Sequence, residues 1–264
     1  MAPRNAAAPG ARNTEVHPAL VRLAARKLDP AVLVGAAGLE PAVEARARRF
    51  HREEDRRRFL TGRVIARALV ADLLQVPDAT VTATASCPDP HCRYGNDGSH
   101  GEPRYFHNGK PVPLIVSFSR CGGWLAAAAA EIPGGDSTGV ERIGVDLDDA
   151  AAPAFAGADL EDVMASEAER AAIAAAAVND RPRMRAQLWV RKEAVLKARG
   201  QGLRIDPRTL DTLSWGETGL RALDVGPEKL GLPAHLVLAV GADIGRTHGH
   251  FGAIRLEFNG IAGS

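Results

Sequence analysis

Only three cysteines occur in 264 residues, an odd number with no paired spacing, which excludes the disulfide framework of a small secreted domain. Such usage fits a reducing compartment. An excess of charge of one sign is also lacking. The 33 Lys and Arg against 32 Asp and Glu leave a formal net charge of +1, so bulk electrostatics point to neither nucleic acid nor a membrane as partner. Any electrostatic specificity must be local. No apolar run approaches the length that crosses a bilayer, and the opening MAPRNAAAPGARN lacks the hydrophobic core of a signal peptide. A cytoplasmic location is the expectation. No repeat period marks a solenoid, and no Ser-His-Asp or Cys-His arrangement stands out, so a covalent nucleophile in this chain is not expected.

What the chain does have is apolar material for a core: 45% hydrophobic residues over a length that suits one large domain or two ordinary ones. Residues 1–16, rich in Ala, Pro and Arg without periodicity, read as a mobile tail. Leu20–Lys27 reads as a short helix and Ala31–Gly35 as a short apolar strand. From Pro41 to Leu74, Phe50, Phe59, Leu60, Val64, Ile65, Leu69 and Leu73 recur at helical spacing, which predicts at least one long amphipathic helix. Residues 85–111, dominated by Ser, Pro, Gly, Asn and Asp, read as loop. Pro133–Gly139, PGGDSTG, separates an N-terminal α+β lobe over 17–133 from a C-terminal α+β lobe over 140–264. In the second lobe Leu160–Ala177 has helical spacing, and a further helix should start near Pro182 and stop at Gly200. Leu210–Trp215, Leu220–Val225, Leu236–Val240 and Phe251–Phe258 read as antiparallel strands.

Two stretches carry the chemistry. In Trp189–Gly202, WVRKEAVLKARGQG, residues four apart share a helix face, so Trp189, Glu193 and Lys197 project together. In Ile143–Asp148, IGVDLD, strand alternation puts Asp146 and Asp148 on one face and Ile143, Val145 and Leu147 on the other. If the two polar faces meet, three carboxylates and a lysine converge. Carboxylates that close repel one another unless a cation lies between them, and an all-oxygen set suits a hard ion such as Mg²⁺. Taken singly, each pattern has a plainer reading: Glu193 before Lys197 is a favourable exposed helical pair, and alternating polar strand positions commonly face water.

Jointly, the two segments resemble the signature of the 4′-phosphopantetheinyl transferases. Gly144-Val145-Asp146-Leu147-Asp148 is similar to G-[VI]-D-[LIV]-[DE], and about forty residues later Trp189 to Lys197 is similar to W-x-x-K-E-x-x-x-K, continued by Gly200-Gln201-Gly202-Leu203. Glu54 to Arg67 resembles the E-D-x-x-R-x-L-x-G-x-x-x-x-R stretch of the Sfp-type members, which implies that Arg58 meets the nucleotide end of coenzyme A, with Arg46 a second candidate. A guanidinium suits that task because its fork donates two parallel hydrogen bonds to a phosphate. Val116–Trp124, VSFSRCGGW, resembles F-[NS]-[IL]-S-H-[ST]-G-x-W, with Arg120 in place of the histidine and Cys121 in place of the hydroxyl residue. Arginine keeps the cation and frees it from pH, so Ser119 and Arg120 are implied as coenzyme A contacts. Lys110 matches the lysine of a G-K-P element that precedes this motif in the family, although Pro103 stands nearer the usual distance. Glu167 falls where the family has the glutamate of F-[ST]-x-x-E.

The resemblance implies a monomeric α+β pseudo-dimer of two similar lobes, with coenzyme A and metal in the cleft between them. It implies transfer of the 4′-phosphopantetheine arm of coenzyme A onto a serine of an apo acyl or peptidyl carrier protein, releasing adenosine 3′,5′-bisphosphate. Asp146, Asp148 and Glu193 would hold Mg²⁺, while Lys197 and the arginines spread the pyrophosphate charge. Glu193, a metal-bound water or Asp148 would take the serine proton. The attacking hydroxyl belongs to the carrier, which agrees with the missing nucleophile. Polyketide, peptide-natural-product and fatty-acid pathways all stay open. Two rival functions use the same residues: a coenzyme A-binding module without transferase activity, and a Mg²⁺-dependent phosphohydrolase with water as nucleophile. The arginines between 46 and 58 are interleaved with acids, which weakens a nucleic-acid reading, and Cys87, His91, Cys92, His100 and His107 lack a complete four-ligand zinc pattern.

Overall fold

The computed structural model describes residues 19–29, 38–87, 98, 100–132, 140–200, 204–215, 219–244, 246–247, 250–251 and 254–258. The expected tail 1–16, the strand at Ala31–Gly35, the break at Pro133–Gly139, the Gln201–Leu203 continuation, and His91 and Cys92 lie outside these residues.

Val21, Leu23 and Ala25 are buried at alternate positions, and Ala19–Lys27 is strand β1 rather than the helix its Ala-rich composition suggested. Tertiary pairing decides the matter, because β1 lies between two partners. It bonds antiparallel to β6 (Trp124–Glu131) and parallel to β12 (Ile254–Phe258), and β5 (Leu114–Cys121) completes a four-stranded sheet in the order β12-β1-β6-β5. The parallel pairing of β12 departs from the all-antiparallel expectation and carries the end of the chain back to the first sheet. On β6 the side chains of Ala126, Ala128 and Ala130 face one core, and Leu125 and Ala127 face another. Against that second face packs α2 (Glu53–Leu74), through Ile65, Ala66 and Leu69, with the short α1 (Pro41–Ala47) ahead of it. Glu53, Glu54 and Asp55 sit in the first turn of α2, where the positive end of the helix dipole favours acids.

Residues 85–111 are not simply loop. β2 (Val81–Ser86), β3 (Glu102–His107) and β4 (Lys110–Pro111) form a small sheet, anchored by buried Val81, Ala85 and Tyr105. The β3–β4 turn is Asn108-Gly109 with φ of 49° and 76°, the left-handed pair that a tight hairpin requires.

The second half begins with β7 (Val140–Asp149), continues through α3 (Pro153–Ala156), α4 (Asp159–Met164), α5 (Glu167–Ala175) and α6 (Arg181–Ala198), and adds β8 (Leu220–Val225) and β9 (Leu236–Ile244) in the order β7-β9-β8. The helix expected over Leu160–Ala177 is broken at extended Ala165, and Ser166 restarts it with a capping box to Glu169. Leu210–Trp215 is not a strand, since the 3-10 turn Pro207–Thr209 and the carbonyl of Leu210 are tied to Lys192 of α6. A pair of short strands, β10 (Arg246–Thr247) and β11 (His250–Phe251), precedes β12.

The two sheets share one connectivity. A first strand leads through a long helix into a hairpin whose second strand takes the central position, β1-β6-β5 with α2 and β7-β9-β8 with α6. They pack on a common core in which Leu23, Ala126 and Ala128 meet Val145, Leu147, Leu236 and Leu238. Each large aliphatic side chain buried there contributes about 1.5–3 kcal/mol. Edge strands β5 and β7 adjoin at this junction, bridged by side chains of β5. No helix among the described residues is long and apolar enough to cross a membrane.

Candidate active site

Site geometry begins with glycines. Gly144 on β7 is paired across the sheet with Gly241 on β9, and both face α6. A Cβ at Gly144 would lie 2.0 Å from the carbonyl oxygen of Ala194, and one at Gly241 would lie 2.4 Å from the Ala194 carbonyl carbon. Without side chains at either position, the helix backbone rests directly on the sheet. That contact delivers Glu193 and Lys197, one helical turn apart, to the acidic face of β7.

Lys197 Nζ donates to Asp146 Oδ1 at 2.6 Å and to the Val145 carbonyl at 3.1 Å. Asp146 is only 6% exposed, and the same oxygen accepts the Ser119 hydroxyl of β5 at 2.8 Å. Ser117, two residues earlier on the same strand, accepts the Val145 N–H at 3.0 Å. Alternation along β5 thus places Ser117, Ser119 and Cys121 in register with the edge of β7. Burial pushes the Asp146 carboxyl above its ordinary range, and the charge of Lys197 opposes it. Glu193 is raised too, by burial first and then by the negative charges of Asp146 and Asp148, with Lys197 again opposing. Its Oε1 is buried and has no hydrogen-bond partner. An orphaned carboxylate oxygen in such a place costs about 1–3 kcal/mol unless something binds it.

Asp148 bonds to its own neighbours. Its Oδ1 accepts the Asp149 N–H at 2.8 Å and the Cys121 thiol at 3.5 Å. Among the described residues no three His, Cys, Asp or Glu side chains are gathered closely enough to hold a metal ion. The convergence expected from the sequence is therefore a pair of raised carboxylates, Asp146 and Glu193, with Asp148 acting on them through its charge. Hard oxygen donors and an unsatisfied Oε1 fit a divalent cation of the Mg²⁺ type. Burial and the neighbouring Asp148 push the Cys121 thiol up to about 12, so it stays protonated and is no nucleophile. Described Cys87 and His100 belong to no metal-holding group either.

A cavity of about 1490 Å³ runs alongside. Lys197 and Arg142 line it from the second half, and Arg46, Arg58, Arg63 and Arg120 line it from the first. Residues 142–237 match a family model described as the 4′-phosphopantetheinyl transferase superfamily. This stretch, running from β7 into β9, is similar to that superfamily. Transfer of a phosphopantetheine group is the activity this supports, which implies coenzyme A as co-substrate and a carrier protein as partner. No curated protein matches the chain.

Within the cavity the arginines differ. Arg58 is exposed and held by Glu54 at 2.6 Å. Arg120 has its surface in the cavity, where surrounding protein disfavours charge and lowers its pKa, with Arg46 adding repulsion. Its guanidinium fits beside α2 because residue 62 is glycine; a Cβ there would meet Arg120 Nη1 at 3.2 Å. Lys110 is exposed on β4 and does not line the cavity, whereas Pro103 does. Trp189 packs in the apolar cluster around Phe155, away from the polar work of its helix neighbours.

Three features of this region were not singled out from the sequence. Arg63 lines the cavity next to the motif positions of α2, and no motif marks it. Gly241 has no local signal. Glu169, not Glu167, is the buried glutamate: it pairs with Lys192 at 2.6 Å, both side chains fully buried, and accepts from Thr212 and Ser166. The S-x-x-E capping pattern from Ser166 to Glu169 was the available clue.

Proposed function

We propose that this protein moves the 4′-phosphopantetheine group of coenzyme A onto a serine of an apo acyl or peptidyl carrier protein, as a two-lobed, Sfp-type transferase. The observation that carries the reading is the meeting of Asp146 and Glu193 with Lys197, which itself lines a cavity shared with Arg46, Arg58, Arg63 and Arg120 of the other half of the chain. The shared connectivity of the two sheets supports the two-lobed form.

Asp146 and Glu193, with Asp148 nearby, would hold a Mg²⁺ ion. When bound, that ion supplies neutralising charge to the pyrophosphate. Lys197 is one donor away from the same phosphates, since its ammonium already sits on the Asp146 carboxylate and can exchange that partner for a phosphate oxygen. In the reaction the carrier serine oxygen bonds to the β-phosphorus, and the bond from that phosphorus to the oxygen bridging the two phosphates breaks. The serine proton passes to Glu193 or Asp148, the carboxylates at the same edge. Adenosine 3′,5′-bisphosphate leaves with the bridging oxygen. Arg58 and Arg120 hold the nucleotide end.

Incubation with coenzyme A, Mg²⁺ and a panel of apo carrier proteins tests this by mass spectrometry. One phosphopantetheine is gained per carrier, and Asp146→Ala or Glu193→Ala lowers the rate by about a hundredfold or more while the protein stays folded. Release of the nucleotide without any carrier would instead mark a phosphohydrolase. Binding of coenzyme A with neither outcome would leave a binding module.

A further inference from the structure

Strands β5 and β7 belong to different sheets, and side chains rather than a backbone ladder join them. Ser117 accepts the Val145 N–H at 3.0 Å, and Ser119 donates to Asp146 Oδ1 at 2.8 Å. That same Oδ1 takes Lys197 Nζ at 2.6 Å. Its two donors specify different things. An ammonium is a point charge on a flexible stem with three rotatable donors, so it attracts a carboxylate without fixing its plane. The last torsion of an aspartate is broad and roughly two-fold, which leaves the orientation to be set by a partner. A hydroxyl held on one carbon of a paired strand is such a partner, and it has a single O–H to give. Ser119 is buried beside Asp146, and its O–H is spent there, so none is left for a phosphate while the bond holds. With Oδ1 filled by both donors, no hydrogen bond from a described residue reaches Oδ2.

We infer that Ser119 is a positioning residue, which fixes the Asp146 carboxylate from the first half of the chain and keeps Oδ2 free for the divalent ion, acting through Asp146 rather than on coenzyme A. The inference rests on the reading of Asp146 and Glu193 as the pair that holds the metal. It gives Ser119 a task other than the coenzyme A contact its motif implied. It also makes the metal site depend on the docking of the two halves, since the carboxylates come from the second and the hydroxyl from the first.

Calorimetric binding of Mn²⁺, steady-state transfer and metal-free crystal structures of the full chain, in wild type, Ser119→Ala, Ser119→Thr and Ser117→Ala, test this. In Ser119→Ala the Kd for Mn²⁺ rises by about tenfold or more, as for loss of a hydrogen bond to a charged group. The metal concentration for half-maximal transfer rises in step, while the KM for coenzyme A at saturating metal stays within about twofold of wild type. Ser119→Thr keeps the hydroxyl and recovers most of the loss. Ser117→Ala removes a bond of the same junction that touches no carboxylate, and its Mn²⁺ affinity stays within about twofold of wild type. A raised KM for coenzyme A with unchanged metal affinity marks a co-substrate contact and overturns the assignment. So does an equal loss of metal affinity in Ser117→Ala, or a Ser119→Ala protein that only melts earlier. Should wild type transfer to no carrier, the transfer reading fails and the Mn²⁺ affinities still judge Ser119. Should it bind no Mn²⁺, the metal reading fails and the structures judge the positioning: an Asp146 carboxylate turned in Ser119→Ala but not in Ser117→Ala supports it, and an unmoved carboxylate rejects it. If Ser119→Ala does not fold, Ser119→Cys, whose thiol is a weaker donor, takes its place in the same comparisons.

Discussion

Gly144→Ala tests how the site is built, because one methyl group must enter the seam between β7 and α6. The new Cβ would lie 2.0 Å from the Ala194 carbonyl oxygen, 2.7 Å from the Ala198 nitrogen and 2.9 Å from Lys197 Cβ. Two of these atoms are helix backbone and cannot rotate aside. To relax the carbonyl contact to an ordinary separation, α6 must retreat from the sheet by about 1 Å or more. Overpacking of a core costs about 1–3 kcal/mol, and a clash with backbone on this scale belongs at the upper end. About 3 kcal/mol corresponds to a fall of about 6–12 °C in melting temperature for a chain of this size. The same retreat draws Lys197 and Glu193 away from Asp146, and a misplacement of about 1 Å can cost about a hundredfold in rate. Thermal unfolding and transfer at saturating coenzyme A measure both effects. Gly157→Ala is the control, since a Cβ there meets nothing within 4 Å. A Gly144→Ala protein that melts within about 2 °C of wild type at full kcat would refute the claim that backbone contact positions the site.

Other perturbations address the supporting structure. Lys192→Met leaves the fully buried Glu169 without its cation and should cost about 3–5 kcal/mol in urea unfolding, with partial recovery in Lys192→Met/Glu169→Gln. The raised pKa of Glu193 means that the folded state holds its proton more tightly than the unfolded state does. Between the ordinary value of 4.5 and the raised one, stability of the metal-free protein therefore falls as pH rises. Glu193→Gln should remove that decline, so its advantage over wild type in chelated buffer grows with pH above 4.5 and then levels off. A constant difference across pH would show that Glu193 titrates normally.

Much of this acidic edge was legible from periodicity. Asp146 and Asp148 two apart on a strand, and Glu193 and Lys197 four apart on a helix, stated which side chains share a face, and Pro182 and Gly200 bracketed α6 within about a residue. Short Ala-rich stretches were less readable. Ala19–Lys27 fits a helix or a strand alone and becomes β1 only because β6 and β12 flank it. The Asn108-Gly109 hairpin was hidden within a loop-like composition. Motif spacing pointed to Glu167 and does not reveal burial, so the buried Glu169–Lys192 pair was not legible, nor were the bonds of Asp148 to Asp149 and Cys121.

The amino-acid sequence by itself determined the local periods, and with them which residues share a strand or helix face. Only the tertiary structure decided that β5 adjoins β7, bringing Ser119 to Asp146, that two facing glycines admit α6, and that Arg63 joins Arg46 over Phe59. The reason is range. Side-chain direction along a strand or helix is set by neighbouring dihedral angles, whereas which edges and faces meet depends on burying the whole apolar surface at once.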